Sequence, residues 1–299
     1  MQCPLCNSMC TRVMKSIAVE PLVAEWQRSF KIDVREEFHG LTAFEIRSCS
    51  ECSLQFFTPE LLTGSAELYE KLDKFVWYYM PRKWEHDAAL KDLVRGTRIL
   101  EVGCGFGDFV SLAGRELGVR AEGLEQNTGA IQEAEKRGLP VRKATVEEAA
   151  KQSPGEYDAI CSFQVMEHVP RPGRFVTACC ALLRPGGKLI LGLPNADSFL
   201  RYQFNLLDLP PHHMSRWPVS VFSKLSRYFP VRLQRVRLEP LADHHVEGYV
   251  DAYFSALARG PLARLGRPRM KAGIAGTVRR FGLRQWLRGQ TTYVCYERI

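Results

Sequence analysis

The sequence lacks any long apolar run. Its 299 residues are 45% hydrophobic and 25% charged, and no stretch reaches the roughly 20 apolar residues that a helix crossing a bilayer needs. The first ten residues, MQCPLCNSMC, also lack the charged start and the apolar segment of a secretory signal. These absences predict a cytoplasmic globular protein, and the chain is long enough to bury a sizeable core.

A complete dinucleotide fingerprint is also missing. Residues 99–110 read ILEVGCGFGDFV, an apolar run followed by glycines at 103, 105 and 107, and Asp108 occupies the position where the pattern GxGxxG requires its last glycine. An acidic residue there would repel a diphosphate but suits a cationic amino acid group. The pattern therefore predicts a buried parallel strand, a tight turn and a helix beginning near Asp108.

This segment resembles the cofactor loop of class I S-adenosylmethionine-dependent methyltransferases. Residues 119–125, VRAEGLE, predict a second strand whose Glu125 follows the loop by about twenty residues, the distance at which such sites place an acid on ribose hydroxyls. The resemblance covers residues 95–195 and implies S-adenosylmethionine as the cofactor. The expected donor-binding residues are Glu101, Gly103, Gly105, Gly107, Asp108, Glu125, Gln126, Thr145, Val146 and Phe163.

Strand and helix patterns alternate along the chain, as a doubly wound sheet requires. Strands are predicted within 99–102, 119–125, 140–143, 157–163, 182–194, 231–238 and 292–298. We therefore expect an α/β fold with a Rossmann-like, mostly parallel, seven-stranded methyltransferase sheet, a small N-terminal zinc ribbon and helical insertions. The expected domains are a zinc-ribbon-like module at 1–62, a helical lid at 63–95 and a methyltransferase domain at 96–299, with an acceptor loop at 196–230 and a basic helical insertion at 242–288.

Four of the ten cysteines form two CxxC motifs, Cys3 with Cys6 and Cys49 with Cys52. Clustered cysteines in a reducing compartment favour metal binding over disulfides, and two such motifs can complete an all-thiolate zinc site. Because that site has no open coordination position, its zinc would stabilise the fold. Cys10 is a spare thiol that could replace one ligand, and reduced cysteines without metal are the alternative.

Aromatic residues are concentrated between the second CxxC motif and the glycine turn. Six of them alternate with basic residues between positions 67 and 93, and they are Tyr69, Phe75, Trp77, Tyr78, Tyr79 and Trp84. This pattern favours a helical lid that packs over a pocket, as methyltransferases of this type commonly have before the first strand. A stacking surface for nucleic acid is the alternative.

The segment 205–217, NLLDLPPHHMSRW, leaves the predicted fifth strand at the edge where ligands bind in this architecture. Neutral imidazole is well suited to remove a proton at cytosolic pH, so His212 and His213 are candidate catalytic bases or acceptor ligands. His168, at the end of the fourth strand, is a third candidate. Each histidine could instead bond only to backbone or point away from the pocket.

A catalytic divalent metal is an alternative use of the histidines. Glu167 and His168 resemble part of the metal-binding strand tip of quinone-pathway O-methyltransferases, but Gln164 stands where that family has another acid. The loop offers Asp208 beside His212 and His213, and Asp243, His244 and His245 follow later in the chain. The missing acid makes a metal the less favoured interpretation.

Positive charge is concentrated at the C-terminal end. Residues 259–299 hold ten Lys or Arg and one acid, a net charge of +9, which leaves −1 for residues 1–258 of a total of +8. With Phe281, Leu283 and Trp286 nearby, this segment could associate with an anionic membrane surface, at the inner face of the membrane, or with a phosphate-bearing carrier. A solvated helical insertion is the simpler alternative.

The favoured function is methyl transfer to an oxygen of a sugar, a glycan or a related small molecule. Paired CxxC motifs, a donor domain and a PPHH loop together resemble bacterial methyltransferases associated with sugar and polysaccharide modification. The alternative is an RNA methyltransferase that grips nucleic acid through the zinc module and the basic segment. No NPPY-like tetrapeptide follows the fourth strand, and no catalytic cysteine is evident, so nucleic acid is the less favoured partner. A donor-binding protein without activity is a third alternative.

Overall fold

The computed structural model describes residues 1–75, 78–257 and 267–299. Trp77 of the predicted lid and residues 258–266 of the predicted basic insertion lie outside the described residues. Two sheets, one of four strands and one of seven, organise the described part of the chain. None of the described helices is both long enough and apolar enough to cross a membrane.

The smaller sheet is antiparallel and lies mainly in the N-terminal segment. Its strands are β1 (Thr11–Ala18), β2 (Ala43–Cys49) and β3 (Gln55–Thr58). A two-residue strand from the acceptor loop, Ser215–Arg216, pairs with β3 and completes the sheet. The N-terminal segment and the acceptor loop are therefore joined by a backbone ladder.

Helix α1 (Val19–Phe30) connects β1 to β2 and was not predicted. Its buried residues Val19, Leu22, Val23 and Trp26 follow the i, i+3, i+4, i+7 spacing of an amphipathic helix. This helix accounts for much of the unexpectedly long segment between the two CxxC motifs.

The larger sheet has seven strands, which are numbered along the chain as β4 (Arg98–Val102), β5 (Arg120–Glu125), β6 (Val141–Lys143), β7 (Tyr157–Phe163), β8 (Leu183–Pro194), β10 (Val231–Pro240) and β11 (Arg288–Arg298). The label β9 belongs to Ser215–Arg216 of the smaller sheet. The order of strands across the larger sheet is β10-β11-β8-β7-β4-β5-β6. Strands β4 to β8 pair in parallel, and β11 runs antiparallel to both of its neighbours. The predicted seven-stranded, mostly parallel α/β fold is confirmed.

Helices cover both faces of this sheet. Besides α1, the helices of the described residues are α2 (Ala66–Leu72), α3 (Trp84–Leu90), α4 (Asp108–Leu117), α5 (Thr128–Lys136), α6 (Val146–Gln152), α7 (Pro172–Leu182), α8 (Val219–Lys224), α9 (Val246–Leu257) and α10 (Arg267–Arg280). Of these, α2 packs with the smaller sheet, and α9 and α10 pack in a cluster of their own. Successive residues of β4 point to opposite faces, so that Ile99 and Leu100 are both fully buried but lie in different apolar clusters. Burial on both faces explains the continuous apolar run of this strand.

Strand β8 is longer than its local sequence indicates. The sequence Pro-Gly-Gly at 185–187 is typical of a turn, whereas the strand spans Leu183–Pro194. Its pairing with β7 shifts register between Tyr157 and Ala159, whose partners are Leu183 and Lys188. Residues 184–187 therefore form an irregularity within the strand. From the sequence alone, Pro-Gly-Gly could equally mark a bulge within a strand or the turn before it.

Candidate functional site

A cavity of about 950 Å³ lies at the carboxyl ends of the parallel strands. The glycine turn after β4, the ends of β5 and β7, the lid segment and the acceptor loop all contribute to its wall. In open parallel sheets ligands bind at this edge. The predicted donor, lid and acceptor elements thus face one chamber.

The turn after β4 depends on its glycines. Gly103, Gly105 and Gly107 have φ values of +73°, +53° and +76°, which lie in the left-handed region that other residues rarely adopt. A Cβ on Gly105 would lie 2.8 Å from the ring of Tyr79, and one on Gly107 would lie 2.8 Å from Leu139. Space and conformation therefore both require glycine here.

Glu101 ends β4 beneath this turn. Its side chain is buried with 4% of its surface exposed, and among the described residues its Oε2 has no hydrogen-bond partner. Burial raises the pKa of this carboxyl well above its usual value, although the charge of Lys83 opposes the shift. A buried acceptor without a partner is costly, so this carboxyl is suited to receive a cationic or hydrogen-bonding ligand group.

Glu125 at the end of β5 is fixed across the glycine turn. Its Oε2 accepts a hydrogen bond of 2.8 Å from the Gly105 N–H, and its Oε1 accepts bonds from the backbone of Gln126 at 2.6 Å and of Asn127 at 2.9 Å. These bonds orient the carboxylate beside the cavity. Glu125 follows the glycine turn by twenty residues in sequence and is in direct contact with it in the structure.

Of the ten predicted donor residues, all except Gly107 line the cavity. Asp108 is placed differently from the expectation of a free acid, because its carboxylate lies 2.9 Å from the Arg137 guanidinium. Thr145 caps α6, since its hydroxyl accepts a hydrogen bond from the Glu148 N–H. Among the two acids near the turn, Glu101 is the one with an unpartnered oxygen.

The lid segment covers the glycine turn. The ring of Tyr79 lies 4.6 Å from that of Phe106 within the turn, and the ring of Tyr78 lies 6.0 Å from that of His212 in the acceptor loop. Tyr78, Tyr79 and Trp84 all line the cavity. The aromatic side chains thus bridge the donor and acceptor sides of the chamber.

The acceptor loop is held from two sides. The N–H groups of Met214 and Ser215 donate to the carbonyl of Glu167 at 2.7 and 3.1 Å, and the Phe57 N–H donates to the Met214 carbonyl at 3.0 Å. The loop therefore lies between the tip of β7 and strand β3. This placement brings the predicted histidines of the loop next to His168.

His212 is a neutral imidazole with one bare nitrogen. It is 6% exposed, and its Nδ1 lies 2.9 Å from the Leu207 carbonyl, to which it donates. Its Nε2 is buried and has no partner among the described residues. Burial holds the pKa of His212 well below its usual value, and the nearby His213 adds to the shift. The lone pair of Nε2 is therefore available at neutral pH.

His168 lies beside His212, with the two rings nearly perpendicular and their centroids 4.6 Å apart. Its Nδ1 is 2.6 Å from the His212 carbonyl and donates to it. Burial lowers the pKa of His168 to about 3, with the charge of His213 as the next cause. Nδ1 of His168 therefore bonds to backbone, as one of the sequence alternatives predicted, and its Nε2 lies 3.9 Å from Oε1 of Glu167.

His213 completes the group. Its Nδ1 lies 3.5 Å from Oδ1 of Asp208. Burial alone would raise the pKa of Asp208, but the hydrogen bond and charge of His213 outweigh that effect and hold it below its usual value. The rings of His212 and His213 are stacked at 4.5 Å. All three candidate histidines are therefore in contact.

Glu167 is a site residue whose environment the sequence did not predict. It is 1% exposed, and neither carboxylate oxygen has a partner among the described residues. Burial raises its pKa to about 7. Gln164, which stands where quinone-pathway O-methyltransferases have another acid, donates a hydrogen bond of 2.9 Å to the Glu85 carboxylate. The sequence indicated Glu167 only through the Glu-His pair at a strand tip. Whether its carboxylate has hydrogen-bond partners depends on residues that are distant in sequence.

The four cysteines of the two CxxC motifs also come together. Sγ of Cys3 lies 3.5 Å from that of Cys52, and Sγ of Cys6 lies 3.6 Å from that of Cys49. All four sulfurs lie within 4.8 Å of one another. Cys10 is exposed and lies outside this group.

The later histidine pair is separate from the cluster. His244 and His245 line the cavity at the start of α9, with ring centroids 4.0 Å apart. The three-histidine group contains neither of them. Asp243 pairs with Arg279, as expected for a polar surface.

Comparison with known proteins agrees with this geometry. A family model described as a methyltransferase domain matches residues 76–233, just over half of the chain. A ubiquinone biosynthesis O-methyltransferase of Dechloromonas aromatica is 30% identical over 171 residues, which cover 51% of this chain and 73% of that protein. A protein of the same name from Xanthomonas oryzae pv. oryzae is 34% identical over 121 residues, 38% of this chain.

The chain thus spans between half and three quarters of the length of these curated relatives. A solved SAM dependent methyltransferase from Archaeoglobus fulgidus has 19% identity and a TM-score of 0.46, covering 79% of this chain and 95% of the other. Because the domain model matches more than half of the chain, the protein belongs to the methyltransferase-domain family and is an S-adenosylmethionine-dependent methyltransferase.

Proposed function

We propose that the protein transfers the methyl group of S-adenosylmethionine to an oxygen of a small polar acceptor, a sugar, glycan or related metabolite. The observation that carries this proposal is the bare Nε2 of neutral, buried His212 in the same cavity as the glycine turn. A hydroxyl acceptor needs a group that removes its proton, and a neutral imidazole can do so near pH 7. The names of the curated relatives support oxygen as the methylated atom.

The donor half of the proposal rests on the residues around the glycine turn. Glu101 would receive the ammonium group of the donor, since its unpartnered carboxyl oxygen is buried at the cavity wall. Glu125 would bind the ribose hydroxyls through the carboxylate that the turn already orients. The aromatic rings of Tyr79 and Phe106 would exclude water from the chamber.

In the proposed reaction, the bond between sulfur and methyl breaks as a bond forms between that methyl and the acceptor oxygen. The electron pair of the broken bond stays on sulfur, which leaves S-adenosylhomocysteine. The proton of the acceptor hydroxyl passes to Nε2 of His212. His213 and His168 would position this base by ring contacts at 4.5 and 4.6 Å.

Polar side chains on the acceptor side of the cavity support a polyhydroxylated acceptor. Asn195, Arg216, Glu239 and Gln290 line this part of the wall, and Nε of Arg216 is buried without a partner among the described residues. A guanidinium of this kind suits an acceptor that carries phosphate or carboxylate. These groups favour a sugar or a glycan over a purely apolar substrate.

The basic C-terminal surface is consistent with a phosphate-bearing acceptor or carrier. Arg280 and Arg284 are exposed next to Phe281 and Trp286, whose exposed fractions are 68% and 80%. Cationic and apolar side chains in this combination suit an anionic membrane surface. The proposed place of action is the cytoplasm, with contact at the inner face of the membrane.

Substitution of the loop histidines tests the catalytic part of this proposal. We expect His212→Ala and His213→Ala to bind S-adenosylhomocysteine as the unmodified protein does, but to lose about 10²- to 10⁴-fold in turnover, the usual range for removal of a general base. Turnover is measured with isotopically labelled donor against nucleotide sugars and fractionated cell extracts. Phosphate-bearing acceptors should be preferred over their dephosphorylated forms.

The matched control is His39→Asn. His39 is exposed in the N-terminal segment with a φ of 50°, a conformation that asparagine tolerates. Its turnover should be unchanged. Undiminished turnover in both loop variants would remove these histidines from the reaction, and labelling confined to bulk RNA would favour the nucleic-acid alternative.

Substitution of Glu125 tests the donor part. Glu125→Gln should weaken S-adenosylhomocysteine binding by about ten- to a hundredfold, because a hydrogen bond to a charged group contributes about 1.5–3 kcal/mol. Calorimetry on the full chain measures this affinity. Glu122→Gln on the same strand is the control, since Glu122 pairs with Arg98 away from the cavity. Equal donor affinity in both variants would argue against Glu125 as a ribose ligand.

We also propose that Cys3, Cys6, Cys49 and Cys52 bind a structural zinc ion. The contacts among their four sulfurs support a tetrahedral thiolate site, whose separations would adjust to zinc–sulfur bonds of about 2.3 Å. Strand β3 begins three residues after Cys52 and pairs with the acceptor loop. The zinc would therefore stabilise the segment that holds the histidine loop.

Replacing one cysteine tests this assignment. Cys49→Ser should lose the tightly held zinc and lower the thermal unfolding midpoint, because metal binding and folding are coupled in such sites. Cys10→Ser, at an exposed thiol outside the group, should retain both. Zinc content is measured by elemental mass spectrometry and unfolding by circular dichroism. Equal zinc content in the two variants would contradict the assignment.

A further inference from the structure

Three imidazoles from two separate parts of the chain converge at the acceptor side of the cavity. His168 follows strand β7, whereas His212 and His213 lie in the acceptor loop more than forty residues later. One ring nitrogen from each lies within 4.8 Å of the other two. A proton-removing base needs only one of these rings, and the convergence of three imidazoles is also the arrangement that a metal site requires.

The Nδ1 atom of each ring faces an oxygen. The partners are the His212 carbonyl at 2.6 Å for His168, the Leu207 carbonyl at 2.9 Å for His212, and Asp208 Oδ1 at 3.5 Å for His213. A ring that donates from Nδ1 carries its lone pair on Nε2. Histidines that bind metals almost always donate their other N–H to a carbonyl or carboxylate in this way.

The surroundings also match the charge requirements of a cation. Metal binding needs an unprotonated ring nitrogen, and in His168 and His212 the Nδ1 atom donates to a backbone carbonyl, which leaves Nε2 for the ion. Glu167 lies next to them, with one oxygen 3.9 Å from His168 Nε2 and both oxygens lacking a partner among the described residues. A bound cation would compensate a buried carboxylate that is otherwise costly to keep.

We propose that His168, His212 and His213 bind one divalent transition-metal ion, with Glu167 as the neighbouring negative charge. Imidazole ligands suit zinc, iron, nickel and copper, whereas magnesium prefers carboxylate and water oxygens. Gln164 is engaged with Glu85 and contributes no carboxylate. The chemistry of these ligands therefore selects a transition metal.

The distances need only a small adjustment. Zinc–nitrogen bonds of about 2.1 Å in a tetrahedral site place ligand nitrogens about 3.4 Å apart. One nitrogen from each ring lies within 4.8 Å of the other two, so small side-chain movements would bring the three rings to one ion. The fourth position would face the cavity and remain open to an acceptor oxygen.

This inference rests on the proposed function, since it places the ion where the acceptor hydroxyl would bind. A metal-bound oxygen loses its proton more readily. In that state Nε2 of His212 is a ligand, and the proton of the hydroxyl passes to the carboxylate of Glu167. The sulfur–methyl and oxygen–methyl bond changes are the same as described above.

The test uses the full chain with zinc retained in its cysteine group and weakly held metals removed by a mild chelator. Cobalt(II) is then added as the probe and followed by calorimetry and visible absorption. We expect one further equivalent to bind, with the visible d–d bands of a four-coordinate site of nitrogen and oxygen ligands and without a thiolate charge-transfer band. His212→Ala should reduce this affinity by at least about a hundredfold, since even partners of metal ligands contribute 10- to 100-fold.

His244→Ala is the matched control, because His244 lines the same cavity but is exposed and lies outside the cluster. It should bind cobalt as the unmodified chain does. His168→Ala provides a second variant from a different element, and retained S-adenosylhomocysteine binding in each variant verifies folding.

Binding of no further equivalent, binding that His212→Ala and His168→Ala leave unchanged, or a thiolate spectrum would each overturn the inference. The proposed function fails in a different way: cobalt then binds as expected, but no oxygen acceptor is methylated. If the metal-free protein turns over fully and His212→Ala does not, the histidine acts directly as base and the metal inference alone is wrong.

Discussion

Ionisable groups buried without partners at the carboxyl edge of the parallel sheet are the constraint on which the site depends. Glu101, Glu167 and Nε2 of His212 each lie in the cavity wall with unsatisfied polar atoms among the described residues. Burying such groups costs free energy. The packing of the seven strands and the surrounding helices offsets this destabilisation. In the proposed function, Glu101 is the carboxyl group that receives the donor and His212 is the neutral imidazole that faces the acceptor.

The N-terminal segment contributes to the same site through backbone pairing. Cys49 ends β2 and Cys52 lies three residues before β3, and β3 pairs with Ser215–Arg216, which begins two residues after His213. On its other side, the loop is tied to the tip of β7, because the Glu167 carbonyl accepts hydrogen bonds from two N–H groups of the loop. A structural zinc, as proposed, would therefore influence catalysis by fixing the loop and not by touching the reactants.

Much of the fold could be predicted from local patterns. The strand at Tyr157–Phe163 was located to the residue, and those ending at Val102 and Glu125 had correct ends, because buried parallel strands read as apolar runs that stop at polar ligand-binding residues. Glycine spacing similarly located the turn. Helix α1 was missed although its apolar spacing was present.

Features that depend on distant residues could not be predicted in the same way. The pairing of β3 with the acceptor loop joins residues about 160 positions apart, and no periodicity encodes such a contact. Asp108 was expected to face a ligand, but Arg137 reaches it from the end of α5. The burial of Glu167 likewise depends on the acceptor loop, which is distant in sequence. The Glu-His pair alone therefore did not predict that its carboxylate lacks a hydrogen-bond partner among the described residues.

The central claim is that the chamber beside the glycine turn receives a positively charged sulfur compound. Calorimetry of the full chain with S-adenosylhomocysteine, S-adenosylmethionine, NAD and FAD tests it most directly. The account predicts binding of both adenosyl compounds and no heat from either dinucleotide. Tight uptake of NAD or FAD, with no response to S-adenosylhomocysteine, would contradict it.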